Sequence, residues 1–220
     1  MNLKKVDPEQ LNSSRQTVFL CLIDRSSSMQ KFEKVMQGAL FRFKQKLLNS
    51  PEADEIIVNK IGFNGYIGMN EFTSPEDMST DYTADGGTAL YDAICYGKER
   101  LTRYLEELRM HGISAKGIMV VFSDGEDLHS DKTCDEAREA IRQLQSVEEG
   151  NIVGFVAFGD DARGIAERLE VRQENIWNTD ATFENLYECF EVMSESVSTV
   201  SRRVDFTSKE ESGILFVNLA

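Results

Sequence analysis

Short apolar runs alternate with amphipathic helical patterns along most of the chain, and this alternation limits the folds that the chain can adopt. Runs typical of buried strands lie at residues 17–23, 56–63, 118–122 and 152–158, with a weaker one at 175–177. Between them, apolar residues recur every three or four positions, as on one face of a helix. Strands that alternate with helices form mostly parallel sheets with right-handed crossovers. The sequence therefore predicts an α/β fold with a doubly wound, mostly parallel, Rossmann-like sheet and helices on both faces.

The 220 residues fit one α/β domain with a sizeable core. We predict an N-terminal flank at residues 1–16, the domain at 17–203 and a C-terminal extension at 204–220. The flank is polar and is expected to be loose. Within the extension, residues 214–219 are apolar enough to form a final strand or a docking segment. Inside the domain, residues 66–72 are predicted to form a short edge strand after a turn.

The chain is strongly acidic, with a net charge of −14 and an isoelectric point near 4.6. Non-specific binding to nucleic acid or to anionic lipid requires a basic surface, so we expect no nucleic acid and no membrane as a partner. No apolar stretch approaches the roughly 20 residues that span a bilayer, and residues 1–7 lack the apolar core of a signal peptide. These features predict a cytoplasmic protein. The four cysteines and the two histidines, His111 and His129, are too scattered to suggest zinc.

Three segments from distant parts of the chain carry oxygen donors next to predicted strand or helix ends. Asp24, Ser26 and Ser28 follow the first apolar run, Thr88 lies in a glycine-rich loop that opens a helix, and Asp124 follows the third long run. In doubly wound sheets, ligands bind at the carboxyl edge of the strands, where these loops are expected to converge outside the core. Few charges and several hydroxyls suit magnesium better than calcium or zinc. Taken alone, each segment also fits a turn or a helix cap, since serine favours both.

Together these segments resemble the metal-ion-dependent adhesion site (MIDAS) of von Willebrand factor A (vWA) domains, and the resemblance covers residues 17–203. The matching motifs are Asp24-x-Ser26-x-Ser28, Thr88 within Gly-Gly-Thr-Ala-Leu-Tyr-Asp-Ala-Ile, and Asp124 within Phe-Ser-Asp-Gly-Glu-Asp. All five metal-site positions are filled, in the order in which the family has them.

The resemblance implies a role for each residue of the site. Ser26 and Ser28 would bind magnesium (Mg2+, with Mn2+ as the alternative ion) directly. Asp24 and Asp124 would act mainly through bound waters or hydrogen bonds, and Thr88 directly or through a water. An open metal position would be filled by an Asp or Glu carboxylate of a partner protein.

Two residues within the first motif, Ser27 and Arg25, need separate comment. Ser27 stands where the family often has glycine, and Arg25 brings a cation that either steers an acidic ligand or points to solvent. Without a signal peptide, the chain is similar to intracellular bacterial members associated with tellurite resistance and stress. Such members imply an adaptor whose partner is an AAA+ ATPase, a kinase or a phosphatase from the same gene cluster.

The predicted function is therefore a metal-dependent protein–protein interaction module without enzymatic activity. One alternative keeps the fold but binds partners without metal. The other is a magnesium-dependent hydrolase or phosphatase. It would need an exposed nucleophile with a partnered base, or a carboxylate two positions after Asp24 as general acid, where the chain has Ser26. The sequence also lacks the glycine-rich nucleotide-binding motifs and the nucleophile-elbow motif of acyl-transfer enzymes.

Overall fold

Five strands form one all-parallel sheet in the computed structural model, which describes residues 5–125, 127–146, 151–179, 182–202 and 214–216. The strands are β1 (Arg15–Asp24), β2 (Ile56–Phe63), β3 (Ser114–Ser123), β4 (Ile152–Phe158) and β5 (Ile176–Thr179). They are arranged in the order β2-β1-β3-β4-β5. The order reverses between β1 and β3, so the loops that follow these two strands flank the crevice in which such sheets bind ligands.

Helices cover both faces of the sheet, which confirms the predicted doubly wound α/β fold. They are α1 (Glu33–Leu48), α2 (Leu90–Met110), α3 (Cys134–Ser146), α4 (Asp160–Arg168) and α5 (Phe183–Arg202). The apolar stripes of α2, α3 and α4 form one core with the sheet, and those of α1 and α5 form a second core on the opposite face. Within the described residues, no helix is both long enough and apolar enough to cross a bilayer.

The two central strands are longer than the apolar runs that predict them. The ladder between β1 and β3 begins at Arg15 and Ser114, before the predicted starts at residues 17 and 118. Backbone pairing between neighbouring strands requires no apolar side chain, so it continues into the polar residues at the amino ends of the strands. At the other end, both strands end in polar residues, Asp24 and Ser123.

The edge strand predicted at residues 66–72 does not form. In place of a ladder, this segment forms two isolated bridges with β2, between Phe63 and Ile67 and between Val58 and Thr73, and the Gly68 backbone N–H donates to the Gly62 carbonyl oxygen at 2.9 Å. Between these bridges, the Asn59 side-chain amide donates to the Asn70 carbonyl oxygen at 3.0 Å. Side-chain hydrogen bonds thus replace part of the ladder that a regular edge strand would supply.

The N-terminal segment packs against the domain, so the expectation of a loose flank is wrong for its described part. The Val6 backbone N–H donates to the Phe72 carbonyl oxygen at 2.9 Å, and Tyr104 Oη donates to the Val6 carbonyl oxygen at 3.4 Å. Pro8 is also buried. These hydrogen bonds, together with the packing of Val6 and Leu11 against the core, anchor this stretch although its composition is polar.

Residues 214–216 dock onto the face of the sheet covered by α1 and α5 and form no strand. Leu215 is fully buried, and its backbone N–H donates to Asn175 Oδ1 at 2.7 Å. The Phe216 and Trp177 rings form a T-shaped contact with their centroids 5.4 Å apart. Of the two alternatives for residues 214–219, the described part therefore agrees with a docking segment, here on the domain itself. Residues 217–219 lie outside the described part.

The start of α3 carries a reciprocal cap that gives a testable expectation. The Glu136 side chain accepts from the Thr133 backbone N–H at 2.9 Å, and the Glu136 backbone N–H donates to Thr133 Oγ1 at 3.2 Å. We expect Thr133→Ala to lower the free energy of unfolding by about 1 kcal/mol, because it leaves a helix N–H without its acceptor. Urea unfolding of Thr133→Ala beside Thr133→Ser measures this loss. Equal losses in both variants would contradict a capping role for the hydroxyl.

Candidate metal centre

The loop after β1 and the glycine-rich loop before α2 are bonded to each other at the carboxyl edge of the sheet. The Ser27 backbone N–H donates to the Gly86 carbonyl oxygen at 3.0 Å, and the Asp85 N–H donates to the Arg25 carbonyl oxygen at 2.6 Å. Backbone bonds therefore fix the relative position of two of the three predicted ligand segments.

Asp24 is the last residue of β1 and is fully buried, so it does not lie on a loop outside the core as the sequence suggested. Its Oδ1 accepts from the Ser26 backbone N–H at 2.8 Å, and its Oδ2 accepts from Ser123 Oγ at 2.7 Å. Burial raises the pKa of the Asp24 carboxyl to about 6; hydrogen bonds from Ser26 and Ser123 oppose the shift, and the negative charge of Asp124 adds to it. A cation at this position would favour the ionised carboxylate.

The hydroxyl groups of Ser26 and Ser28 are adjacent, with their Oγ atoms 2.9 Å apart. Ser26 is buried, whereas Ser28 is exposed. The pair therefore presents two neutral oxygens, one beside the buried Asp24 carboxylate and one open to solvent. Neutral oxygen donors with an open side suit a magnesium ion, which keeps some of its waters.

The Asp124 carboxylate has a buried oxygen without a hydrogen-bond partner. Among the described residues, Oδ1 of Asp124 accepts no hydrogen bond, although solvent does not reach it. Buried carboxylate oxygens are normally paired, and a bound cation or its water would satisfy this one. No group of three His, Cys, Asp or Glu side chains suited to a metal occurs in the part that the structure describes. A cation here would consequently depend on hydroxyl oxygens as well as carboxylates.

The backbone of Thr88 is hydrogen-bonded to the loop that follows Asp124. Its carbonyl oxygen accepts from the backbone N–H groups of Leu128 and His129 at 3.0 and 2.9 Å, and its own N–H donates to His129 Nδ1 at 3.3 Å. Thr88 is itself buried. All three predicted ligand segments thus meet at one edge, each bonded to another, and their role in binding metal stays a prediction.

Sequence reasoning missed three residues that position this centre. Ser123 bonds the Asp24 carboxylate, His129 bonds the Thr88 backbone, and Tyr82 Oη donates to the Asp24 carbonyl oxygen at 2.6 Å. Ser123 carried a usable signal, because it is a polar residue at the end of an otherwise apolar strand. The other two lie in loops without a periodic pattern, and their contacts depend on tertiary structure.

Arg25 neither points freely to solvent nor faces the hydroxyl pair. Its Nε donates to the Thr83 carbonyl oxygen at 2.6 Å, and its Nη2 donates to Thr83 Oγ1 at 2.9 Å. The side chain lies across Gly62, where a Cβ atom would collide with Arg25 Cδ. The guanidinium is therefore directed towards the loop before Asp85.

An all-parallel, doubly wound sheet with helices on both faces is the vWA-like fold. Solved structures similar to this chain share that fold. They include the vWF domain of the type V pili tip protein Mfa5 from Porphyromonas gingivalis, with 11% identity, 86% of this chain and 97% of that chain covered, and a TM-score of 0.67.

Two further similar structures are longer proteins. The pilus adhesin SpaC from Lactobacillus rhamnosus GG has 12% identity over 86% of this chain and 30% of its own, with a TM-score of 0.67. Proximal thread matrix protein 1 from the mussel byssus, with a zinc-occupied MIDAS motif, is 16% identical. The match covers 84% of this chain and 46% of that protein, with a TM-score of 0.55. The chain thus spans less than two thirds of either protein. No protein-family profile and no curated protein sequence matches the chain.

Proposed function

We propose that this protein is a metal-dependent protein–protein interaction module that binds a partner carboxylate through a divalent cation, Mg2+ or Mn2+. The unpaired, buried Asp124 Oδ1 carries this proposal, because it lies in the same centre as the Asp24 carboxylate and the Ser26–Ser28 hydroxyl pair. Oxygen donors of this kind match the preference of hard divalent cations.

Each residue of the centre has a separate task in this proposal. Ser26 and Ser28 would supply direct oxygen ligands, and Thr88 would supply a third hydroxyl. Asp24 and Asp124 would contribute negative charge, with Asp24 also fixing the Ser26 backbone through its 2.8 Å hydrogen bond. When bound, the cation would offer a position to an Asp or Glu of the partner. Specific recognition then requires no bond-making chemistry from this chain.

The geometry gives less support to a hydrolase. A phosphatase of this general fold would need an exposed nucleophilic carboxylate and a nearby general acid. Asp24 is fully buried and already accepts two hydrogen bonds, and position 26 carries a serine. The hydroxyl and carboxylate oxygens of the centre favour ion binding over bond-making chemistry in this proposal.

The identity of the partner and the cellular location of the protein remain predictions. An AAA+ ATPase, a kinase or a phosphatase stays the predicted partner, and a cytoplasmic location in a bacterial stress response stays the predicted setting. The pilus adhesin and pilus tip domain share only the fold with this chain. The test of partner binding described below does not depend on where in the cell the protein is located.

The metal site is tested best at Ser28, because this side chain is exposed and its truncation leaves the core intact. We expect Ser28→Ala to weaken Mg2+ and Mn2+ binding by tenfold or more, since even loss of a group that supports a metal ligand costs about 10–100-fold. Isothermal titration calorimetry of the purified variant measures this change. Ser27→Ala is the matched control, because Ser27 is also exposed and contacts the glycine-rich loop through its backbone.

Partner binding provides the second test. Protein captured on the immobilised wild-type chain with Mg2+ should be released by a chelator and should not bind Ser28→Ala, while Ser27→Ala should retain it. Saturable metal binding with unchanged partner capture by Ser28→Ala would show that the partner uses another surface. Absence of saturable metal binding to the wild type would favour the metal-free scaffold.

A further inference from the structure

Helix α2 begins two residues after Thr88, with a residue that cannot cap it. Its N-cap residue is Ala89, whose side chain has no oxygen. The first N–H groups of a helix find no acceptor within the helix, and a Ser, Thr, Asp or Asn side chain at the N-cap normally supplies one. The acceptors for these N–H groups of α2 must therefore come from another part of the chain.

Two side chains of the loop that follows β3 supply these acceptors. Asp127 Oδ1 accepts from the Tyr91 backbone N–H at 3.2 Å, and Ser130 Oγ accepts from the Asp92 backbone N–H at 3.1 Å. Ser130 Oγ also donates to Asp127 Oδ1 at 2.6 Å, so the two side chains hold each other in place. Asp127 and Ser130 form the capping pair of α2, although they lie 36 and 38 residues away from the N–H groups that they bond.

Helix α2 holds the same loop in return. Asp92 lies in the first turn of the helix, where its Oδ1 accepts from the Lys132 backbone N–H at 2.7 Å and its Oδ2 accepts from the Asp131 backbone N–H at 3.1 Å. A capping box satisfies backbone donors reciprocally within one helix start. Here the reciprocal bonds join two segments that are distant in sequence, so the loop and the start of α2 are fixed relative to each other.

The capping pair also encloses the two residues that bond the Thr88 backbone. Leu128 and His129 lie between Asp127 and Ser130, and their backbone N–H groups donate to the Thr88 carbonyl oxygen. Both residues are exposed, so burial contributes little to fixing their position. The position of Thr88 therefore depends on the bonds that the capping pair makes on either side of them.

We propose that Asp127 and Ser130 are positioning residues of the metal centre, which act through Thr88 and are not metal ligands themselves. This inference rests on the metal-dependent function proposed above. The capping pair joins the loop that begins at Asp124 to the start of α2, so these two predicted ligand segments keep one relative position before a cation binds. Ligands that are already ordered bind more tightly, because binding then requires less loss of conformational freedom.

The experiment is calorimetric titration of Mn2+ into the wild-type chain and into variants of the capping pair. We expect Asp127→Ala and Ser130→Ala each to weaken binding about tenfold, since loss of a group that orients a metal ligand typically costs about 10–100-fold in affinity. Ser130→Ala removes no charge, so its effect cannot come from weaker attraction of the cation. Asp127→Asn should bind within about twofold of the wild type, because its amide oxygen can accept the same hydrogen bonds.

Thr133→Ala is the matched control for a loss of stability. The Thr133 hydroxyl caps α3 through bonds with Glu136 of that helix. Its removal should destabilise the chain about as much as loss of a cap on α2, typically about 1 kcal/mol, and should leave the affinity for Mn2+ unchanged. Thermal unfolding verifies that each variant is folded during the titration.

Two outcomes would overturn this inference while the proposed function stands. The first is a Mn2+ affinity of Ser130→Ala equal to that of Thr133→Ala. The second is an equal loss in Asp127→Asn and Asp127→Ala, which would show that Asp127 acts through its charge or as a ligand. Absence of saturable Mn2+ binding to the wild type would instead overturn the proposed function, and this inference with it. A loss in both alanine variants of the capping pair that Asp127→Asn does not share would support it.

Discussion

Gly125→Ala is expected to lower the free energy of unfolding by about 3–5 kcal/mol, the largest effect that we predict for a single methyl group. Gly125 has a φ of +96°, which L-residues avoid at a cost of roughly 1–2 kcal/mol. A Cβ atom there would also lie 2.5 Å from Ala162 Cα and 2.9 Å from the Ala162 nitrogen. Because both are backbone atoms of α4, rotation of a side chain cannot relieve the overlap. Urea unfolding followed by circular dichroism measures the loss.

Gly159→Ala provides the control for the backbone contribution. Gly159 has a φ of +101°, but a Cβ atom there would meet nothing within 4 Å. With a ψ of 171°, Gly159 lies in a region that is essentially restricted to glycine, so its substitution should cost only about 1–3 kcal/mol of backbone strain. The difference between the two variants therefore isolates the collision with α4. Equal losses would contradict the close approach of the Asp124 loop to α4.

Gly125→Ala should also weaken metal binding in whatever fraction of the protein remains folded. Gly125 follows Asp124 directly, and its backbone N–H donates to Ser123 Oγ at 3.0 Å, the same hydroxyl that bonds Asp24. Moving Gly125 away from α4 would therefore shift both carboxylates. Metal titration of the folded variant at low temperature would show this as a lower affinity than that of Gly159→Ala.

Leu215→Ala is expected to lower the free energy of unfolding by about 2–4 kcal/mol, because it removes a fully buried side chain from an established core. The Leu215 side chain lies over Gly154 of β4, where a Cβ atom would come within 2.5 Å of Leu215 Cδ2. The Leu215 carbonyl oxygen also accepts a hydrogen bond from Ser196 Oγ on α5. Chemical unfolding of the full chain measures the contribution of this C-terminal segment.

Phe41→Ala is the matched control for loss of a large apolar side chain. Phe41 lies on α1 and its side chain is 55% exposed, so its removal should change the free energy of unfolding by less than about 0.5 kcal/mol. An unchanged stability of Leu215→Ala would contradict docking of residues 214–216. A loss as large in Phe41→Ala would show that the exposed aromatic ring is also part of a core.

The alternation of strands and helices, and with it the class of fold, follows from the pattern of apolar residues along the chain. Each long apolar run became a strand, and each periodic segment became a helix packed on one face of the sheet, as Leu90 and Leu108 illustrate at the two ends of α2. These predictions succeeded because the periodicity of apolar residues is a property of local sequence and indicates which face of an element will be buried. The placement of Asp24 and Asp124 at one edge followed from the rule for parallel sheets.

The attachment of the chain ends and loops to the domain depends on contacts that form only in the folded chain. Val6 and Leu215 lie in segments without a periodic pattern, yet both are fixed by partners far away in sequence, Phe72 and Asn175. The direction of Arg25, away from the hydroxyl pair and towards a neighbouring loop, was equally hidden. Such contacts depend on the shape of the assembled surface and on which polar groups remain unpaired there. Local sequence contains the side chains for these contacts, but only the folded chain determines which partners lie within reach.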